Sequence, residues 1–166
     1  MPPQLGPVVA ERPAIVAPDF DYATAERTAT LKDHRGERFV LLVLTSGRDA
    51  RPQRLAAAAN ALEAARIDVL FVPAKAGLAV AYPGISVVTE GNQEIHATYA
   101  VLADILDDFA DRPAHAEFLI DRSGYVRARW LPARDDAWRD PAAIVKQVEI
   151  LAREKRNTPL PDDHVH

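Results

Sequence analysis

Phe39-Val40-Leu41-Leu42-Val43-Leu44 is a short run that is apolar on both faces, the pattern of a central strand in a parallel sheet. The polar break Thr45-Ser46-Gly47-Arg48-Asp49 ends it. The alanine-rich stretch from Ala50 to Arg66 follows, with Leu55, Ala58, Ala59 and Leu62 along one helical stripe. Asp49 suits an N-cap, and Pro52 is tolerated in a first helical turn. Asp68-Val69-Leu70-Phe71-Val72-Pro73 is a second buried strand. Strand, helix and strand close a βαβ unit.

Downstream, Ile85-Ser86-Val87-Val88-Thr89 reads as an edge strand and Glu90-Gly91-Asn92 as a turn. Ile95, Tyr99, Leu102, Leu106 and Phe109 recur at helical spacing, and Asp107, Asp108 and Asp111 oppose the dipole at that helix's end. Glu117 to Asp121, the turn Arg122-Ser123-Gly124, and Tyr125 to Trp130 predict a hairpin. Asp140-Pro141 is an N-cap followed by proline at the first helical position. The helix it opens has the stripe Ile144, Val145, Val148, Leu151 and Ala152. The order predicts an α/β domain, a central mixed sheet with helices on both faces.

Prolines at 2, 3, 7, 13 and 18 make residues 1–18 an extended arm, residues 19–156 the domain, and residues 157–166 a tail ending His164-Val165-His166. The chain has 166 residues, a net charge of −4 and a hydrophobic fraction of 48%, enough for one domain with its own core. The mild acidity argues against nucleic acid as a partner. The chain contains no cysteine, which excludes disulfides, thiolate catalysis, cysteine-ligated zinc and iron–sulfur clusters. No apolar run approaches the ~20 residues that cross a bilayer, and the N-terminus lacks the basic and apolar regions of a signal peptide. The expectation is a soluble chain, whole or cut from a longer protein.

Ala17-Pro18-Asp19-Phe20, the approach Leu31-Lys32-Asp33-His34-Arg35-Gly36-Glu37-Arg38-Phe39-Val40-Leu41-Leu42-Val43, and the hairpin Phe118-Leu119-Ile120-Asp121-Arg122-Ser123-Gly124-Tyr125-Val126 resemble, in that order, segments of thioredoxin-like proteins of the peroxiredoxin and TlpA-like type. From Pro113 to Trp130, and at the ending Pro161-Asp162-Asp163-His164-Val165-His166, the chain is similar to the thioredoxin-like domain attached to bacterial copper-resistance D (CopD-type) membrane proteins. The resemblance implies a thioredoxin-like fold, a periplasmic location, and a copper-resistance membrane protein or domain as partner.

It also implies where the chemistry would sit. Laid over the family's redox turn, this chain has Ala50, Arg51, Pro52 and Gln53, with Ala50 and Gln53 at the two thiol positions. Neither side chain forms a thiolate, a mixed disulfide or a sulfenic acid. The family's cis-proline position falls on His115. Glu117 lies two residues on, so it projects to the same side of an extended strand. His115 and Glu117 offer an imidazole nitrogen and a carboxylate oxygen to copper or zinc, with His34, His96 or the tail as sources of a third ligand. His164 and His166 form an His-x-His pair that can chelate copper. The ordinary roles of these residues are a hydrogen-bonded structural histidine at 115, a solvated loop histidine at 34, an exposed helical histidine at 96, and a polar chain end.

Arg122, Arg127 and Arg129 are read as a solvated face balanced by nearby aspartates, with an anion patch as the functional counterpart. No serine nucleophile with His and Asp partners and no glycine-rich phosphate loop is present. The leading expectation is a non-enzymatic, cysteine-free thioredoxin-fold binding or accessory domain linked to copper handling. The alternative is a thiol-disulfide oxidoreductase or peroxiredoxin-like enzyme of the redoxin family. A further alternative is a structural dimerisation module, forming a homodimer.

Overall fold

The computed structural model describes residues 15–45, 51–75, 82–106, 115–130 and 140–153. Its strands are β1 (Ile15–Val16), β2 (Asp21–Ala23), β3 (Thr28–Thr30), β4 (Phe39–Thr45), β5 (Ile67–Pro73), β6 (Ile85–Val87), β7 (His115–Ile120) and β8 (Tyr125–Trp130). Its helices are α1 (Arg51–Ala57), α2 (Ala59–Ala64), α3 (Asn92–Leu106) and α4 (Pro141–Ala152), with a 3₁₀ turn at Leu31–His34. Among the described residues no helix is long and apolar enough to cross a membrane.

A six-stranded sheet has the order β1-β8-β7-β4-β5-β6. The run Phe39–Thr45 lies at its centre because every one of its residues is buried, as a strand covered on both faces requires. It pairs in parallel with β5, Leu42 opposite Leu70, and antiparallel with β7, Leu42 opposite Phe118. β6 extends the parallel half as an edge strand, and β7–β8 form the expected hairpin.

Alternation along β4 divides the core into two layers. Val40, Leu42 and Leu44 pack with Tyr22, Leu31, Ile95, Tyr99 and Phe118 on the α3 face. Phe39, Leu41 and Val43 pack with Leu55, Leu62, Ile144, Val148 and Leu151 on the face covered by α1, α2 and α4. Tyr99 crosses the first layer, edge-on to Phe118, and its hydroxyl donates to the Pro18 carbonyl at 2.8 Å. Burial pushes that phenol far above its usual range, so the hydroxyl stays protonated and remains a donor.

α4 starts as expected: the Asp140 carboxylate accepts from Ala142 N at 3.0 Å, and Pro141 needs no partner for a missing N–H. The alanine-rich stretch differs from one continuous helix. It breaks at Ala58 (φ −102°, ψ 13°) into α1 and α2, since its alanines bury little surface to hold the ladder straight. The arm also differs: Ile15–Val16 pair with β8, and Ala17 is 1% exposed in the core. Pro18 follows this short strand instead of interrupting it. The β2–β3 hairpin had no counterpart in the sequence reading. Gly91, at φ +92°, lets the chain turn from β6 into α3 close against this hairpin; a Cβ there would stand 2.8 Å from the Asp21 carbonyl oxygen. Residues 157–166, with His164 and His166, lie outside the described residues, as does Ala50.

Candidate functional site

β4 ends at Thr45, and α1 begins at Arg51. Thr45 is opposite His115, the first residue of β7, and Val43 is opposite Glu117. Residues directly opposite share a face, so positions 115 and 117 lie on the face that α1 covers. The backbone therefore brings Arg51, at the start of α1, and the His115 position to one end of the sheet. The side chain of His115 lies outside the description.

That end of the sheet is closed by an ion pair. Arg51 Nε donates to Glu117 Oε2 and Nη2 to Oε1, both at 2.7 Å, a fork-to-fork match of guanidinium and carboxylate. The side chains are 7% and 0% exposed. Glu117 is fully buried in a strand with Ala116, Phe118, Leu119 and Ile120. A carboxylate in such a position stays charged only with a partner at hydrogen-bonding distance. The expectation of Glu117 as a metal ligand needs correction on this point: both of its oxygens accept from Arg51. A cation would have to displace the guanidinium from a buried site. Among the described residues no group of three or more His, Cys, Asp or Glu is placed to share a metal ion. Of the remaining turn residues, Pro52 is buried and Gln53 is exposed.

Next to this end, Asn92 opens α3, 3% exposed, and its Nδ2 donates to the Pro73 carbonyl at 2.8 Å and the Val88 carbonyl at 2.9 Å. His96, expected to be exposed, is half-buried, with Nε2 donating to the Val72 carbonyl at 2.8 Å. A single α3 face thus pins the C-terminal end of β5.

His34 corrects the reading of a solvated loop residue. It is 8% exposed and bonded through both ring nitrogens. Nδ1 faces Asp68 Oδ2 at 2.6 Å, and Nε2 faces the Tyr22 hydroxyl at 2.7 Å. Beside a carboxylate Nδ1 carries a proton and donates to Asp68, and Nε2 shares the second hydrogen bond with the Tyr22 hydroxyl. Burial raises the Tyr22 phenol and keeps it a donor. Arg38 Nε donates to Asp68 Oδ1 at 2.7 Å, and its Nη2 to Glu63 Oε2 at 2.6 Å. Burial alone would raise the Asp68 carboxyl, but the hydrogen bond and charge interaction with His34, together with the charge and hydrogen bond of Arg38, outweigh it and hold the group below its usual value. These residues surround the N-terminal ends of β4 and β5, at the opposite end of the sheet from Arg51. His34 is therefore not available to complete a ligand set with His115. On the outer hairpin, Arg127 Nη1 pairs with Asp121 Oδ2 at 3.3 Å, with side chains only 25% and 13% exposed and Tyr125 buried beside them, so this face is less solvated than expected; Asp135 and Asp136 lie outside the described residues.

Sequence reasoning missed the Arg51–Glu117 pair. The signal was present, because an acidic residue inside an apolar central strand demands a cation.

No family model matches the chain, and no curated protein matches it. Solved structures do. Thioredoxin peroxidase I of Plasmodium yoelii superposes with a TM-score of 0.63 at 19% identity, covering 92% of this chain and 98% of its own. Peroxiredoxin Q of Xanthomonas campestris gives 0.58 at 12% identity, covering 81% and 92%. A thiol:disulfide interchange protein from Bacteroides sp. gives 0.52 at 16%, covering 87% and 92%. The central mixed sheet with helices on both faces is the thioredoxin-like fold, as the sequence segments implied. At these identities the likeness is one of fold.

Proposed function

We propose that this chain is a thioredoxin-fold binding or accessory domain that works without thiol chemistry. The observation that carries the reading is the Arg51–Glu117 pair, buried at the sheet end where the family resemblance puts the redox turn. A chain with no cysteine has no thiolate to place there. What remains is a closed, rigid end that can be recognised by shape.

The competing reading, a thiol-disulfide oxidoreductase or peroxiredoxin-like enzyme of the redoxin family, draws support from the peroxiredoxin and thiol:disulfide interchange neighbours. That support is stronger than any for copper. Electron balance then requires a partner protein to supply the attacking thiolate, since this chain has none to oxidise. The copper reading, with a copper-resistance membrane protein as partner in the periplasm, rests on the family resemblance and on His115, His164 and His166.

Insulin reduction with excess dithiothreitol and consumption of hydrogen peroxide separate the first two readings. The expected rates equal those of the buffer alone; turnover above buffer overturns the proposal in favour of the redoxin enzyme. Copper(II) titration of the intact chain, of His115→Ala and of a chain lacking residues 162–166 addresses the third. Equal affinity in all three removes the copper assignment from these histidines.

A further inference from the structure

At the end of the sheet remote from Arg51–Glu117, an open groove of about 470 Å³ lies against α2 and α4. Its floor includes Phe39, Ala61, Ala64 and Val145. Ala61 and Ala64 are exposed, so α2 presents bare backbone and methyl groups to solvent.

Four charged side chains line the groove, Glu37, Arg66, Arg122 and Glu149. Among the described residues none of them makes an ion pair with another side chain. Arg122 lies over the Phe39 ring, 5.5 Å from its centroid, and donates Nη2 to the Ala152 carbonyl at 3.2 Å. Arg66 follows α2 in the left-handed conformation, φ 57°, the position of a helix C-terminus that glycine fills without strain. What arginine adds there is a cation at the groove, with no carboxylate among the described residues paired to it.

Two cations, two anions and an apolar floor make a neutral patch. A strongly acidic or basic partner gains little from it. A second copy of the same patch, turned about a two-fold axis, gains twice, because every contact of an isologous interface occurs in duplicate. Where α2 borders the groove its exposed side chains are Ala61 and Ala64, small enough to allow close approach of two helices. We propose that this groove is a two-fold interface between two copies of this chain, the arginines of one protomer set against the glutamates of its partner over an alanine-lined floor. The proposal stands independently of the absence of thiol chemistry, since it uses the other end of the fold.

Sedimentation equilibrium on the full chain, from micromolar to millimolar concentration, tests it. The native chain is expected to dimerise. Ala64→Arg, at an exposed position that leaves the core untouched, is expected to raise the dimer dissociation constant at least about tenfold, and so is Arg66→Glu, by setting like charges together. Combining Arg66→Glu with Glu149→Arg is expected to recover most of the loss. A chain that remains monomeric at millimolar concentration overturns the proposal, as does a dimer indifferent to both Ala64→Arg and Arg66→Glu. A monomer that dimerises only after removal of residues 154–166 also overturns it, by assigning the groove to the chain's own tail.

Discussion

The two ends of β4 carry two ionic clusters built on opposite plans. At the C-terminal end, Arg51 and Glu117 are 7% and 0% exposed and hold each other in a bidentate fork. At the N-terminal end, the chain Tyr22–His34–Asp68–Arg38–Glu63 starts in the core and grades outward, His34 at 6%, Asp68 at 26% and Glu63 at 71% exposure. The first cluster is almost wholly out of water, so its attraction is spent against desolvation and the pair is indispensable only as a pair. The second remains in touch with solvent at one end, so each link can be lost separately and water can replace part of it. One end of the sheet is closed by an all-or-none contact, the other by a graded one.

That difference sets the order of effects. Glu117→Ala takes the bidentate carboxylate away from a buried guanidinium and is expected to destabilise the fold by about 3 to 5 kcal/mol in urea unfolding. Destabilisation under about 1 kcal/mol would mean that water reaches Arg51, and the contrast between the two ends would collapse. Asp68→Asn removes the carboxylate that Arg38 and His34 share and is expected to cost about 1 to 3 kcal/mol, well short of the first. Its effect depends on pH with a definite sign. The native Asp68 carboxyl is held below its unfolded value of 3.8, so its contribution is complete above that pH and disappears as pH falls through the lower native value. Unfolding measured from pH 6 to pH 2 is expected to show the native chain and Asp68→Asn converging on the acid side; parallel curves would assign the acid limb to other groups. Glu63→Gln, at the exposed end, is expected to change stability by less than about 0.5 kcal/mol. A larger loss would make the outer link as closed as the inner one.

The sheet was legible in the sequence where burial is written locally. The doubly apolar run Phe39–Leu44, the Ser123-Gly124 turn and the Asp140-Pro141 start of α4 each state their conformation within a few residues, and the structure agrees with all three. The β2–β3 hairpin was not, because Asp21–Ala23 and Thr28–Thr30 are too short and too polar to show a period. The ionic clusters were not for a different reason. Arg51 and Glu117 are 66 residues apart, and His34 and Asp68 are 34 apart. Their residue types announce a need for partners, but only the register of β4 between β5 and β7 says which partners meet. His34 was mistaken for a solvated residue because its neighbours Lys32, Asp33 and Arg35 are polar, while the groups that enclose it come from β2 and β5.

The claim on which the account turns is that Arg51 and Glu117 act as one closed unit at this end of the sheet. A double-mutant cycle by urea unfolding measures it, with Arg51→Met, Glu117→Leu and the two combined. The account predicts large losses for each single variant and a double variant close to the native chain, a coupling of at least about 2 kcal/mol. Additive losses would contradict it.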